Sequence, residues 1–464
     1  MECKRMENED FRMRDVVVIG AGLTGLTAAF YAQKRGLNVE IVEQADRIGG
    51  QICTHRVGNF IFESGPNTGT VSCPEVAELF NDLHPHCELE LARASSKCRL
   101  VWKNGQFHPL PHGIATALTT PLFTWSDKLR IIGEPWRRKG TDPDESVGAL
   151  AARRLGKSYL DYAVDPFVSG IYAGDPMMLP TRFALPKLYH LEQDYGSFIR
   201  GAIAKAREPK TERDRLATRK VFSARGGLQH LIDALGQAVG QKHVTCNATN
   251  IKIAPEKGSF VVQLTVNGNQ QQLIRCKRVI TTCGAYALPA LLPFVDAAQM
   301  QAISSLKYAP VVQIGVGIAH ADKARHAAFG GLIPSREHQN VLGILFPSAC
   351  FAGRSPENGA VFSFFLGGVH HPEYIRKSDD ELQSIIDQAL HTMLKYPADM
   401  PIDAFRIYRH PQAIPQYEWS TDARLAAIDA IQRQFPGLII AGNLRDGIGM
   451  AHRIKQGASI GKTI

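Results

Sequence analysis

Apolar positions along this chain follow two periods, and each period predicts one kind of element. The β-branched runs 16–19 and 39–42 are typical of buried strands. Between them, residues 27–35 carry apolar side chains at helical spacing. Two later runs, 279–282 and 438–441, repeat the buried-strand pattern. Strands that alternate with helices in this way predict an α/β fold.

The middle of the chain has a different pattern, with period-two runs and turn residues. Alternating apolar residues at 260–266 end at Asn267-Gly268, which is a hairpin signal. Three further runs predict one antiparallel sheet: 311–319, 341–347 and 360–366. Short strands are expected at 98–102 and 106–110, around the turn Asn104-Gly105. Residues 113–215 are mostly helical in pattern and are interrupted by prolines.

A glycine turn directly follows the first strand and matches G-x-G-x-x-G. Its residues are Gly20, Ala21, Gly22, Leu23, Thr24 and Gly25. Gly20 allows the tight turn, Gly22 lets the backbone approach a pyrophosphate, and Gly25 lets the helix pack on the strand. Glu43 closes the second strand, where a carboxylate can accept hydrogen bonds from ribose hydroxyls. Strand, turn, helix, strand and acid together predict dinucleotide binding on a Rossmann-type domain.

The residues after Glu43 indicate which dinucleotide binds. Arg47 and the pair Gly49-Gly50 follow the acid, and this order resembles the pattern of amine oxidase-like flavoproteins. The expected cofactor is therefore FAD. Near the C-terminus, a strand feeds the glycine-rich segment 442–449 and then a helix that starts at Met450. A helix N-terminus there would stabilise the negative charge of a reduced flavin.

Composition narrows the class of protein further. The 464 residues suffice for two or three domains. No apolar run reaches the ~18 residues of a membrane span, and residues 1–14 do not resemble a signal or transit peptide. Nine cysteines without a C-x-x-C pair favour reduced thiols and a cytoplasmic setting, and no metal site is expected. The net charge of +9 fits a solvated surface, an anionic substrate or a membrane surface, and no nucleic-acid motif accompanies it.

One stretch in the helical region is more specific. Asp165-Pro-Phe-Val-Ser-Gly-Ile-Tyr-Ala-Gly-Asp-Pro176 resembles the central motif of the protoporphyrinogen oxidases, which are flavoenzymes of late haem synthesis. Supporting matches occur in family order at 63–67, 225–228, 414–417, 441–443 and 447–449. The resemblance implies a discontinuous FAD-binding domain, an antiparallel-sheet substrate domain and a helical insertion that can lie on a membrane. The corresponding segments are 13–85, 216–305 and 420–464; 86–112 and 306–419; and 113–215.

The same resemblance implies particular site residues and a reaction. FAD contacts fall on Gly20 to Gly25, Glu43, Arg47, Gly50, Gln51, Gly65, Pro66, Asn67, Thr68, Val244, Ile448, Gly449 and Met450. Arg99 would hold a substrate propionate, Leu332, Leu345 and Phe365 would line the macrocycle, and Gly174 lies in the central motif. The family oxidises a porphyrinogen to a porphyrin in three two-electron steps, with oxygen as the usual acceptor and the flavin in the redox role.

Two departures and several alternatives accompany this hypothesis. Gln51 replaces the arginine that amine oxidases place after the double glycine, and Ser169 stands where some relatives carry an arginine. The substrate is expected to be protoporphyrinogen IX, with coproporphyrinogen III as the alternative. An amine oxidase-like enzyme and a module that holds a cofactor without turnover are the remaining candidates. The electron acceptor, a homodimer and peripheral contact with the inner face of the cell membrane stay open.

Overall fold

Two seven-stranded sheets and the helices around them make up the frame of the protein. The computed structural model describes residues 13–321 and 326–464. The longer helices, of eight residues or more, are Leu23–Lys34, Pro74–Leu83, Trp125–Ile132, Val147–Arg154, Asp165–Tyr172, Pro186–Tyr195, Phe198–Arg207, Gln229–Val239, Ala297–Ser304, Asp379–Thr392, Thr421–Gln434 and Met450–Thr463. Shorter helices are Ile114–Thr119, Lys157–Tyr159, Thr181–Ala184, Glu212–Arg215, Leu288–Leu291 and Pro347–Cys350.

The first sheet is parallel at its centre. Its parallel strands lie in the order Val244–Thr245, Val39–Val42, Arg14–Ile19, the C-terminal part of Gln270–Thr281, and Leu438–Ile440. Val16, Val17 and Val18 are fully buried because helices cover both faces of this sheet. The α/β fold predicted from the β-branched runs is therefore confirmed.

An antiparallel hairpin extends the same sheet. Strand Ser259–Val266 pairs with the N-terminal part of Gln270–Thr281, and Ala248–Glu256 pairs with it on its other side. Asn267 and Gly268 have φ of 48° and 80°, which is the left-handed turn that an Asn-Gly hairpin requires. The hairpin predicted from the alternating run is confirmed.

The second sheet is almost entirely antiparallel. Its strands lie in the order Ala404–Pro415, Tyr308–Ile318, Ala360–Gly367, Gly343–Leu345, Gly330–Leu332, Arg99–Lys103 and Gln106–Pro109. The three runs predicted between residues 311 and 366 do join this one sheet. These three strands pair antiparallel, as predicted, whereas Gly330–Leu332, which was not predicted, runs parallel to Arg99–Lys103.

Two strands of this sheet were not predicted. Gly330–Leu332 has two glycines, which lower its β propensity, and Ala404–Pro415 contains charged residues and Pro411. The second strand tolerates proline because it lies at the sheet edge. Helix Asp379–Thr392 covers one face of the sheet and leaves the opposite face to other elements.

Two small sheets lie outside the larger ones. Cys53–Val57 pairs with Phe60–Ser64. Val221–Ala224 pairs with both Gly69–Thr70 and Leu89–Leu91, so a strand from the segment 86–112 adds to segments assigned to the FAD-binding domain. The domain boundaries themselves remain predictions.

The segment 113–215 is helical, as its pattern predicts, and an internal network of charges holds it together. Arg154 is fully buried and bonds Glu134, at 2.7 Å from Nε, and Glu192, at 2.7 Å from Nη1. Glu134 also accepts from Ser197 Oγ at 2.5 Å and from the Phe198 amide at 2.9 Å. In the described part of the chain, no helix combines the length and the apolar composition needed to span a bilayer.

Candidate active site

The glycine turn lies at the carboxyl edge of the parallel sheet, between Arg14–Ile19 and helix Leu23–Lys34. A Cβ on Gly20 would lie 2.6 Å from Thr282 Oγ1, and one on Gly25 would lie 2.0 Å from the Gly20 carbonyl oxygen. A Cβ on Gly22 would meet no atom within 4 Å. The outer glycines are therefore required by packing, whereas Gly22 borders open space at the helix N-terminus, where free amides can bind an anion.

Glu43 connects the ends of two parallel strands. Its carboxylate accepts from the Ala21 amide at 2.6 Å and from the Ala45 amide at 2.8 Å. Each carboxylate oxygen has a second lone-pair direction, so further donors can still bind. This geometry places a carboxylate directly beside the glycine turn.

Arg47 shapes the loop that carries the double glycine. Its guanidinium donates to the carbonyls of Gly50 at 2.8 Å and Ile52 at 3.0 Å. The Gly49 amide donates to the Ala21 carbonyl at 2.8 Å, and a Cβ on Gly50 would lie 3.4 Å from Gly22 Cα. The two glycine loops therefore touch, and Arg47 contributes by holding the second one in place.

The C-terminal helix reaches the same edge. A Cβ on Gly457 would lie 2.6 Å from the Thr24 carbonyl oxygen, and one on Gly461 would lie 2.4 Å from that of Ala28. These pairings show that helix Met450–Thr463 runs parallel to helix Leu23–Lys34 at very close range. Both helix N-termini therefore point the same way, and Ile448 and Gly449 precede the second one. Val244 lies in the edge strand beside Val39–Val42.

Gln313 joins the second sheet to the predicted cofactor loop 65–68. Its Oε1 accepts from the Gly65 amide at 2.8 Å, and its Nε2 donates to the Glu63 carbonyl at 2.7 Å. The residue is 1% exposed. Sequence reasoning missed Gln313, although a glutamine inside the apolar run 311–318 was the signal available. Thr282, which packs under the first glycine turn, was also not among the predicted site residues.

The remaining predicted residues of this region contact Gly65 or the second sheet, or are half-buried. A Cβ on Gly65 would lie 2.3 Å from the Gln51 carbonyl oxygen, and Gln51 Nε2 donates to the Gln412 carbonyl at 3.2 Å. Pro66 and Thr68 are half-buried. Asn67 is buried, donates from Nδ2 to the Gly65 carbonyl at 3.2 Å, and leaves Oδ1 without a partner among the described residues.

Four predicted substrate residues share one face of the second sheet. The register aligns Arg99, Gly330, Leu345 and Ser363 in one row, and Val101, Leu332, Gly343 and Phe365 in the next. Residues two apart in a strand point to the same side, so Arg99, Leu332, Leu345 and Phe365 lie on one face. Gln313 is the direct partner of Phe365 and belongs to this face as well.

The central motif lies over that face. A Cβ on Gly170 would be 2.4 Å from Leu332 Cδ2, so helix Asp165–Tyr172 touches the predicted substrate residues. Ser169 is 1% exposed, and its hydroxyl has no partner among the described residues. Gly174 instead packs against Gln416 and Leu179 and is not brought into contact with the other four.

Arg99 is exposed at the start of its strand. Its guanidinium carbon lies 5.6 Å from the centre of the Phe329 ring. It forms no ion pair with a carboxylate within residues 13–321 and 326–464. An exposed guanidinium without an ion-pair partner is able to bind the carboxylate of a ligand.

Two polar side chains on the same face were also missed by sequence reasoning. Tyr408 and His410 alternate along strand Ala404–Pro415, and the register places them beside Gln313 and Val311. Burial raises the pKa of Tyr408 to about 12 and lowers the pKa of His410, so both are neutral at pH 7. Tyr408 Oη and His410 Nε2 have no partner among the described residues. They were not predicted as strand residues because Pro411 and Pro415 lower the strand propensity of this segment.

These features fit a flavin dinucleotide. The open space at Gly22 accommodates a pyrophosphate, two helix N-termini supply amide donors, and Asn67 Oδ1 is buried and free to accept. In this arrangement Glu43 would face the ribose, and the segment that ends at Met450 would face the flavin.

Comparison with known proteins agrees with this geometry. The family model of flavin-containing amine oxidoreductases matches residues 23–451. Protoporphyrinogen oxidase 2, chloroplastic/mitochondrial, of Arabidopsis thaliana is 30% identical over 95% of this chain and 92% of its own length. Coproporphyrinogen III oxidase of Bacillus subtilis (strain 168) is 25% identical, with 96% of each chain covered.

Solved structures share the fold. A crystal structure from Exiguobacterium sp. 255-15, provisionally described as a protoporphyrinogen oxidase, has a TM-score of 0.80 at 20% identity and covers 97% of this chain and 99% of that one. A putrescine oxidase with bound putrescine has a TM-score of 0.67 at 14% identity, covering 97% and 98%. The chain belongs to the flavin-containing amine oxidoreductases and, within them, to the protoporphyrinogen oxidase family. It is a flavin-dependent oxidoreductase, and FAD is its cofactor.

Proposed function

We propose that this protein oxidises protoporphyrinogen IX to protoporphyrin IX in haem biosynthesis, with molecular oxygen as the electron acceptor. The observation that carries the proposal is the single sheet face that presents Arg99, Leu332, Leu345 and Phe365. A flat, apolar tetrapyrrole with carboxylate side chains needs apolar walls and a cation, and this face supplies both.

In this proposal, the chain binds and orients the substrate while the flavin accepts the electrons. Leu332, Leu345 and Phe365 contact the macrocycle and exclude water from it. Arg99 holds a propionate at the exposed end of the face, where the carboxylate keeps part of its hydration. Gln313 fixes the distance between this face and the cofactor loop, because the same side chain belongs to both. No ionisable side chain is assigned the role of base.

Coproporphyrinogen III is the alternative substrate. The similarity to the Bacillus subtilis enzyme supports it, and coproporphyrinogen carries four propionates where protoporphyrinogen carries two. Arg93 and Lys97 are exposed cations in the stretch that leads to Arg99, and additional propionates would need cations of this kind.

Turnover of both porphyrinogens by the purified protein tests the proposal. Porphyrin fluorescence should rise with either substrate, and the larger kcat/KM identifies the physiological one. Oxygen consumption should accompany porphyrin formation. Peroxide from amines with none from porphyrinogens would favour an amine oxidase. Bound FAD that no porphyrinogen reduces under anaerobic conditions would indicate a module without turnover.

We also propose that the helical segment touches an anionic membrane surface. Trp125, Leu129 and Ile132 are 66%, 65% and 62% exposed and follow each other at helical spacing, and Trp136 is 75% exposed. We call these four residues the apolar ridge. Arg138 and Lys139 are exposed beside it. Tryptophan next to basic residues is typical of helices that lie in the membrane interface.

A further inference from the structure

Arg424 and Arg453 are buried cations behind the glycine-rich segment 442–449. Arg424 is 0% exposed and Arg453 is 8% exposed. Neither forms an ion pair with a carboxylate in the described part of the chain, whereas the fully buried Arg154 pairs with two glutamates. Burial lowers the pKa of both guanidinium groups, yet an arginine remains charged in proteins. These side chains therefore hold positive charge in the interior without a counter-charge.

The two arginines and a tyrosine bind three successive carbonyls of the segment. The bonds are Tyr417 Oη to Asn443 at 2.6 Å, Arg424 Nε to Leu444 at 3.1 Å, and Arg453 Nη2 to Arg445 at 2.8 Å. The N–H and C=O groups of a trans peptide point in opposite directions. The amides of Leu444 and Asp446 consequently point away from this interior, and they have no partner among the described residues. The segment thus presents donors on one side and cations behind them.

Within residues 13–321 and 326–464, no carboxylate pairs directly with these arginines. Asp446 reaches Arg453 only through Gln456, which donates to Asp446 at 2.7 Å and accepts from Arg453 at 2.7 Å. Its carboxylate is 52% exposed, so water screens it. Burial raises the pKa of Tyr417 to about 12 despite the two arginines, so this phenol is neutral at pH 7. Arg424 Nη1 and Arg453 Nε keep unused donors within the described residues.

The segment adjoins the cofactor edge. A Cβ on Gly442 would lie 2.8 Å from the Thr282 carbonyl oxygen, and Thr282 also packs against Gly20. From there the chain passes through Gly449 into the N-terminus of the C-terminal helix. A bound flavin gains negative charge when it is reduced, and buried positive charge nearby favours that state. We propose that Arg424 and Arg453 raise the reduction potential of the bound FAD and hold segment 442–449 in its donor-presenting conformation.

This inference rests on FAD binding at the sheet edge and not on the identity of the substrate. The experiment is the anaerobic reduction potential of the bound FAD, measured against reference dyes in the full-length holoprotein. Arg424→Met and Arg453→Met should each shift the potential to more negative values. Sulfite, which forms a negatively charged flavin adduct, should bind each variant at least ten-fold more weakly. The control is Lys455→Met, which removes an exposed charge from the same helix and should leave the potential unchanged.

A second pair of variants distinguishes the effect of the charge on the potential from the effect of the loop conformation. Arg453→Lys keeps the charge and Arg453→Gln removes it, and both are polar enough to fold where methionine is not tolerated. The lysine variant should retain most of the parent potential, and the glutamine variant should not. Equal potentials in these two variants, or in Lys455→Met and Arg453→Met, would overturn the proposal. A shifted potential in a protein that oxidises no porphyrinogen would refute the proposed substrate and leave this inference standing.

Discussion

Two glycines of the first turn lie in opposite surroundings, one in tight packing and the other beside open space. Gly25 has no room for a side chain because the Gly20 carbonyl oxygen lies 2.0 Å from the Cβ position, whereas Gly22 faces open space. Packing therefore requires Gly25, whereas we expect Gly22 to be required by the cofactor. Mutation can separate folding from cofactor binding at these two positions.

Gly22→Val should abolish FAD binding without destabilising the fold. The isopropyl group occupies the place of the pyrophosphate but contacts no protein atom near the Cβ position. Flavin absorbance after purification and the circular dichroism spectrum measure the two properties. Gly25→Val is the contrasting variant, and we expect it to lose folded protein. A yellow Gly22→Val protein would show that the pyrophosphate lies elsewhere.

Arg99→Ala should weaken substrate binding and leave FAD content unchanged. A charge-assisted hydrogen bond to a propionate is worth on the order of 1–3 kcal/mol, so the apparent KM should rise about ten-fold or more. Arg99→Lys should recover only part of this loss because an ammonium cannot form a bidentate fork. Lys252→Ala, at an exposed position on strand Ala248–Glu256 of the first sheet, is the control for net charge. Unaltered kinetics of Arg99→Ala on both porphyrinogens would mean that another residue anchors the carboxylate.

At the scale of elements, the helical segment combines an exposed apolar surface with an internal charge network. Helix Trp125–Ile132 has no buried residue and turns its large apolar side chains outward. The Arg154 network lies directly behind it and bonds Glu134 and Glu192. The surface is available for a partner because its apolar side chains are not buried within the segment.

Replacing Trp125 and Leu129 by serine should reduce binding to anionic vesicles. These side chains carry much of the exposed area of the apolar ridge, and burial in lipid is worth about 25 cal/mol per Å². Co-sedimentation with phosphatidylglycerol vesicles measures the effect, and activity in detergent-free buffer should be retained. The control is Leu273→Ser, a 67% exposed leucine on the distant hairpin. Equal sedimentation of both variants would refute the membrane proposal.

Glu134→Gln should destabilise the protein at pH 7 by roughly 2–3 kcal/mol, since it removes one of the two buried carboxylates that pair with Arg154 and weakens its charge-assisted hydrogen bonds. Burial alone would raise the pKa of Glu134, but hydrogen bonds from Ser197, Phe198 and Arg154 lower it below 4.5. A lowered pKa means that the stabilisation is present above pH 4.5 and is lost as pH falls through the folded-state value. Thermal unfolding midpoints should therefore differ between variant and parent equally at pH 8 and 6, and converge below pH 4.5.

At the scale of the whole molecule, polar side chains link the second sheet to the predicted cofactor loops. Gln313 makes one such link. Its side chain lies on the substrate face, donates to the Glu63 carbonyl and accepts from the Gly65 amide. Gln51 makes a second link from the cofactor loop to strand Ala404–Pro415. We therefore expect the proposed cofactor and substrate sites to be positioned by the same contacts.

Gln313→Leu should weaken FAD binding and raise KM together. The change leaves the Gly65 amide and the Glu63 carbonyl unpaired at about 1–3 kcal/mol each, which corresponds to roughly ten-fold or more in the dissociation constant. Quenching of flavin fluorescence measures the affinity of the apoprotein. Gln412→Leu changes an exposed glutamine on the neighbouring strand and should have no effect. If the dissociation constant of FAD and the KM changed independently, Gln313 would not link the two sites.

The sequence alone determined the glycine turn, its acid, the second glycine pair and the helices that follow, together with most of the strands. These features are local, because hydrogen bonding, backbone freedom and period are properties of contiguous residues. Tertiary structure alone showed that Arg99, Leu332, Leu345 and Phe365 share a face, since that depends on register between strands more than 200 residues apart. It also decided the partners of Gln313 and the isolation of Arg424 and Arg453, because burial and charge balance follow from packing between distant segments.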